Sequence, residues 1–163
     1  MSTTRQPGPR TRRARFVAGS LGTGALAAVT ALAAPAANAD YDDYQDFQLP
    51  SGNIACQLGT FSDSGVMRAT VGCQVGQHDF SAPPHPADCE GAWGDAVGLT
   101  QGKLPSLQCH GDTLLGSPEP VLDYGQTRSV GPITCASQQS GIRCTDSSTG
   151  HAFSLSRDGY QLS

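Results

Sequence analysis

From about Phe47 onward, apolar and polar residues alternate in short runs, broken by polar, Gly and Pro clusters. Alternation with a period of two marks a half-buried strand, and no stretch sustains the 3.6-residue period of an amphipathic helix. NIACQL alternates, GTFSDSG supplies turn residues, and VMRATVGCQV alternates again, which predicts a β-hairpin. ITCASQQSGIRC repeats the pattern around a polar stretch with Gly141. Between the two, AVGLT and LPSLQ flank Gln101-Gly102-Lys103 and predict a third hairpin. The fold class implied is all-β, a small sandwich or partly open barrel, with Gly111 to Val130 connecting the middle hairpin to the last and its SPEP run in an exposed loop.

The outer hairpins echo each other. GNIAC is followed by a second cysteine and HDFS, and GPITC by a second cysteine and HAFS. Residues two apart on a strand share a face, so Ile54 lies with Cys56 and Ile133 with Cys135, both inward. His78 and His151 occupy matching points, two residues before Phe80 and Phe153, and are expected beside buried rings supplied by the next strand. The echo thus predicts a hairpin staple used twice, with any activity in the parts that do not repeat.

The six cysteines follow from the hairpins. Cys135 and Cys144 would face each other across one, Cys56 and Cys73 across another, and Cys89 and Cys109 would close the middle segment. An even number of cysteines in an exported chain implies a disulfide framework, and cross-strand neighbours are close enough to bridge. The expected pairing is therefore sequential.

Export is indicated by residues 1–39. Arg5, Arg10, Arg12, Arg13 and Arg15 form a basic region without an acid, Phe16 to Ala34 is apolar, and Ala37-Asn38-Ala39 is an A-x-A cleavage site. The mature chain would begin at Asp40. An uncleaved anchor is the rival reading, against the basic flank and the A-x-A. Arg12-Arg13 leaves the twin-arginine route open beside general secretion. Asp40 to Asp46 is rich in acids and is expected to be a flexible tail. The remaining domain, 47–163, would be a single disulfide-rich unit that is not inserted in a membrane once the leader is removed.

Loss of the leader changes the charge. Five of the ten basic residues leave and all fourteen acids stay, so the formal charge becomes 5 − 14 = −9. Such a surface repels nucleic acid and anionic headgroups, and leaves cell-wall glycan or another exported protein as partner classes.

FQLPSGNIAC, Trp93-Gly94, CHGDT, DYG, GPITCAS, GIRC and GHAFSLSR, in this order, resemble a family of small secreted actinobacterial proteins, common in mycobacteria and their relatives, that is classed as a domain of unknown function. The likeness runs from Phe47 to Tyr160. This chain departs from it in having Leu49 where the family pattern has Ser and Ala152 where it has Gly. The resemblance implies secretion, six paired cysteines and a bacterial envelope setting, and it implies no catalytic residues.

The candidate chemistry is sparse. A zinc site would need three or four ligands at suitable spacing, and the cysteines are better used in disulfides, so neither metal nor cofactor is expected. Ser154, Ser156, His151 and Asp112 are the parts of a hydrolytic triad without a G-x-S-x-G elbow. Asp112 is expected to close a turn through its carboxylate. Glu90 and Asp95 flank Trp93, the single tryptophan, and with Asp88 and Asp112 could supply the paired carboxylates of a glycosidase. Tyr124 has an apolar body and a polar tip suited to a binding surface, and Arg157 could pair with an acid or reach a ligand. The preferred function is a secreted, non-catalytic binding module of the envelope, with Trp93, Asp95, Asp112, Tyr124, His151 and Arg157 as candidate binding residues. The alternatives are a small secreted hydrolase acting on glycans and a purely structural envelope protein.

Overall fold

The computed structural model describes residues 44–163. The leader and the first four residues of the acidic segment lie outside the described residues. Ten strands form two antiparallel five-stranded meanders. The first holds β1 (Tyr44–Gln48), β2 (Ile54–Asp63), β3 (Val66–Val75), β4 (Ala96–Thr100) and β5 (Ser106–Leu107). The second holds β6 (Thr127–Val130), β7 (Ile133–Gln138), β8 (Gly141–Asp146), β9 (Ala152–Leu155) and β10 (Tyr160–Leu162). The sheets pack face to face, β2 near β6, β3 over β7 and β4 over β8 and β9, and do not close into a barrel. All-β sandwich is therefore the architecture.

Period-two alternation decides which side chains go inside. Ile54, Cys56 and Leu58 of β2, Ala69, Val71, Cys73 and Val75 of β3, and Val97 and Leu99 of β4 face Ile133, Ile142, Cys144, Phe153 and Leu155 of the second sheet. Burying such side chains contributes about 1.5–3 kcal/mol each for the larger ones. The β2–β3 turn takes Ser64 (φ 54°) and Gly65 (φ 82°) into the left-handed region, as a tight hairpin requires.

The three disulfides pair sequentially, as the hairpins predict. Cys56 and Cys73 are register partners, with Cα atoms 4.1 Å apart, and so are Cys135 and Cys144, at 4.0 Å. Both bridges lie within the sandwich. Cys89–Cys109 closes the loops outside the first sheet, at 5.6 Å, and Cys109 is exposed. The expected middle hairpin exists as β4 and a two-residue β5, and an isolated bridge between Ala92 and His110 lies beyond it.

Three details differ from the pattern reading. Strand β1 begins at Tyr44 and pairs Asp46 with Gln57, so three residues of the expected tail belong to the sheet. The reason lies in Phe47, which is fully buried and draws the chain before it onto β2. The staple repeat extends to whole meanders, with each cysteine pair on the second and third strands. H-x-F-S, however, is not structurally equivalent in its two copies. Phe153 is fully buried on β9, whereas Phe80 lies half-buried in the β3–β4 connection, stacked on His78 at 4.3 Å between ring centroids. The strand that matches β9 is β4, further along the chain, because a proline-rich loop intervenes. Of the two family-pattern departures, Leu49 and Ala152 are both core positions.

Candidate functional site

Alternate turns of a meander fall at opposite ends of the sandwich, and the two ends differ. At one end, Asp146 of β8 is fully buried. Its Oδ2 accepts the Gly102 N–H at 2.7 Å, and its Oδ1 accepts the Ser148 N–H at 2.9 Å and hydroxyl at 2.6 Å. The residue ties the β4–β5 turn of one sheet to β8 of the other. His151 belongs to this closed end, with Nδ1 3.0 Å from the Lys103 carbonyl oxygen.

The other end is open. The β1–β2, β3–β4, β5–β6, β7–β8 and β9–β10 connections surround a cleft of about 700 Å³. Asn53 frames it by clasping the backbone of Gln77, accepting its N–H at 2.7 Å and donating to its carbonyl at 2.9 Å. Gly141 holds the β7–β8 tip against β9, where any Cβ would meet the Leu155 carbonyl oxygen at 2.2 Å. Around the cleft stand Gln77, Gln138, Gln139, Ser140 and Tyr124, all exposed and uncharged. Two charged residues join them, Arg157 and Asp158. Arg157 donates from Nε to Asp79 at 3.0 Å, the first of the two roles open to it, pairing with an acid or reaching a ligand.

The Trp93 region is built differently. The indole N–H donates to the Pro83 carbonyl at 3.3 Å, and the ring borders a separate recess of about 340 Å³ with Asp88 and the Cys89–Cys109 bridge. Glu90, Asp95 and Asp112 do not line that recess. Asp95 is engaged instead: Oδ1 lies 2.9 Å from His110 Nε2, and Oδ2 accepts the Gln74 amide at 2.8 Å. Gln74 is buried on the outer face of β3, and its Oε1 accepts the Leu114 N–H at 2.8 Å and the Thr113 hydroxyl at 3.0 Å. His110 Nδ1 lies 2.9 Å from the Asp112 carbonyl oxygen. Asp112 thus joins the network by its backbone, and the turn bond expected of its carboxylate is made by Thr113 Oγ1, which accepts the Leu115 N–H at 3.1 Å.

Both ring nitrogens of His110 face acceptors, so the imidazolium satisfies both and the neutral ring only one. Burial alone would raise the Asp95 carboxyl and lower His110. The hydrogen bonds outweigh it, holding Asp95 below its ordinary value of 3.8 and His110 above 6.5. A histidine with a raised value stabilises the fold below its unfolded value, and that stability fades as pH rises through the folded one. A carboxyl with a lowered value stabilises above its unfolded value, and that stability fades as pH falls through the folded one. The pair therefore contributes fully between 3.8 and 6.5. Denaturant melts of wild type and His110→Asn should differ most between pH 3.8 and 6.5, and the gap should narrow as pH rises above 6.5 through the folded value of His110. A gap that is constant with pH would refute the coupling.

The six candidate binding residues are thus divided. Tyr124 and Arg157 share the open cleft, Asp95 and Asp112 share the His110 network, Trp93 borders its own recess, and His151 sits at the far end. Pattern reading missed Gln74, His110 and Asp146 as organising residues. A buried polar side chain betrays itself only by its partners, and those that tie separate elements together here come from 15 to 44 residues away in sequence.

The profile of a family of unknown function matches residues 25–163. No curated protein and no solved structure matches the chain.

Proposed function

This chain belongs to that family of unknown function, DUF6636, whose description assigns no activity, and from its own geometry we propose that it is an exported, non-catalytic binding module whose recognition surface is the open end of the sandwich. The observation that carries this reading is the lining of the open cleft, where exposed amides and hydroxyls gather around an exposed tyrosine. Such groups hydrogen-bond neutral polar ligands without the desolvation cost of charges. Tyr124 is 39% exposed and its hydroxyl has no partner among the described residues, so its ring and tip are both available.

Two further features support a binding role over hydrolysis. Asp95, one of the candidate carboxyls, has both oxygens engaged, by His110 and by the Gln74 amide, and these two partners in turn hold residues 112–114. The tryptophan borders a recess that Glu90, Asp95 and Asp112 do not line, so it does not gather the carboxylate pair a glycosidase needs. Three disulfides fit an oxidising compartment, and with the basic, apolar leader pattern they support secretion to the envelope or beyond.

The oxidised protein should co-sediment with washed bacterial cell-wall fractions. Tyr124→Ala should weaken that binding about tenfold, the value of one good aromatic contact of roughly 1.4 kcal/mol, with little change in melting temperature. Unchanged binding by Tyr124→Ala, with loss on Trp93→Ala, would move the site to the Trp93 recess.

A further inference from the structure

The described residues hold eleven acids and five cations, so an unpaired cation is unexpected. Arg68 and Lys103 both reach Asp63 Oδ2, at 3.1 and 3.4 Å. Arg157 pairs with Asp79, and Arg128 donates to the Asp46 carbonyl at 3.4 Å while lying over the Phe47 ring. Among the described residues, Arg143 is the one cation with no hydrogen bond, ion pair or ring contact.

Its position is specific. Arg143 sits within β8 between Ala136 of β7 and Ser154 of β9, and it points outward because its neighbours Ile142 and Cys144 point into the core. It lines a groove of about 410 Å³ across the outer face of the second sheet, together with Gln138, Ser154 and Gln161. That groove shares Gln138, Ser140, Gly141 and Asp158 with the open cleft. Cleft and groove therefore form one surface that passes around the β7–β8 tip.

We propose that Arg143 anchors a carboxylate on the ligand that fills the cleft, and that this ligand is an otherwise neutral glycan bearing isolated carboxylates. The inference rests on the cleft being the binding site. A guanidinium presents paired N–H donors matched to a carboxylate. The surplus of acids repels a polyanion, so the carboxylates must be spaced along a neutral chain. Asp158, on the shared rim, excludes a negative group there. The polarity follows: neutral units lie in the cleft, and the carboxylate lies two residues further along β8. Amide and hydroxyl linings match sugar hydroxyls and N-acetyl groups. A peptide would need side-chain pockets, and of the apolar side chains that border the groove, Ile142 and Leu155 are buried in the core and Tyr160 is half-buried, packed against it.

The test uses the oxidised protein and two tetrasaccharides. One is chitotetraose. The other alternates N-acetylglucosamine with N-acetylmuramic acid, whose lactyl groups add carboxylates to the same backbone. The acidic sugar should bind about tenfold more tightly, as one charge-assisted contact supplies, and the preference should shrink with added salt. Arg143→Gln should abolish the preference while keeping chitotetraose affinity, and Arg143→Lys should retain part of it. Equal binding of both sugars by wild type, or equal weakening of both by Arg143→Gln, would overturn the anchor. Binding of neither sugar, with tight binding of an acidic peptide, would overturn the glycan assignment. Undiminished binding of the acidic sugar by Tyr124→Ala would instead overturn the cleft reading beneath it.

Discussion

Excess reductant should unfold this protein at temperatures where the oxidised form is fully native, and it should do so in two steps. The interior bridges close loops of 17 and 9 residues of separation, and the chain-entropy model assigns about 3 kcal/mol to each. Three such bridges rival the whole net stability of a typical domain, roughly 5–15 kcal/mol. The order of loss follows from access. Cys56, Cys73, Cys135 and Cys144 are at most 1% exposed, whereas Cys109 stands at the surface. Thiolate attack requires reach to a sulfur, so mild reductant should open Cys89–Cys109 first and leave the sandwich folded. Alkylation followed by mass spectrometry, alongside thermal melts, reads both steps. Replacing the Cys135–Cys144 pair by alanines should lower the melting temperature on the order of 10 °C. A reduced protein that keeps its melting temperature would show that packing alone holds the sheets, and interior bridges that exchange first would overturn the order set by access.

The same bridges show what was legible in the sequence. Ile54-x-Cys56 and Ile133-x-Cys135 set the inward face of their strands because period two allows no other choice, and the partner cysteines then fell opposite. The all-β class and the pairing could be read from these local rules. The boundary of β1 could not, because Tyr44 to Asp46 look like a solvated tail, and only the burial of Phe47 and the pairing with β2 place them in a sheet. The likeness of HDFS to HAFS misled for a related reason. Four letters carry no information on whether the following strand starts at once, as with β9, or after a loop stiffened by Pro83, Pro84 and Pro86. The surface was the least legible. Arg143 was unremarkable in sequence, since its lack of a partner is a property of every acid's position. Tyr124 and Arg157, 33 residues apart, reach one cleft because the long β5–β6 crossover and the β9–β10 turn both pass the open end.

Asp146 carries the second large expectation, because it is a buried charge that links the two sheets. Its two oxygens accept three hydrogen bonds, from Gly102 of the first sheet's turn and from the Ser148 backbone and hydroxyl. Hydrogen bonds to a charged group contribute about 1.5–3 kcal/mol each. Gly102 and Ser148 are themselves exposed and can turn to water, so the loss on Asp146→Ala should be nearer 3 kcal/mol than the full sum. Asp146→Asn separates charge from shape. Either orientation of the amide sets its NH₂ against a backbone N–H donor, at Gly102 or at Ser148, so the asparagine should cost nearly as much as the alanine. Acid provides an independent check. Burial alone would raise the Asp146 carboxyl, but the bonds from Ser148 and Gly102 hold it below 3.8. A lowered value means stability present above 3.8 and lost as pH falls through the folded value, so wild type should lose stability in strong acid more steeply than Asp146→Ala does. Denaturant melts from neutral pH downward read the difference. An asparagine variant as stable as wild type would show that the shape of the side chain, not its charge, joins the turn to β8.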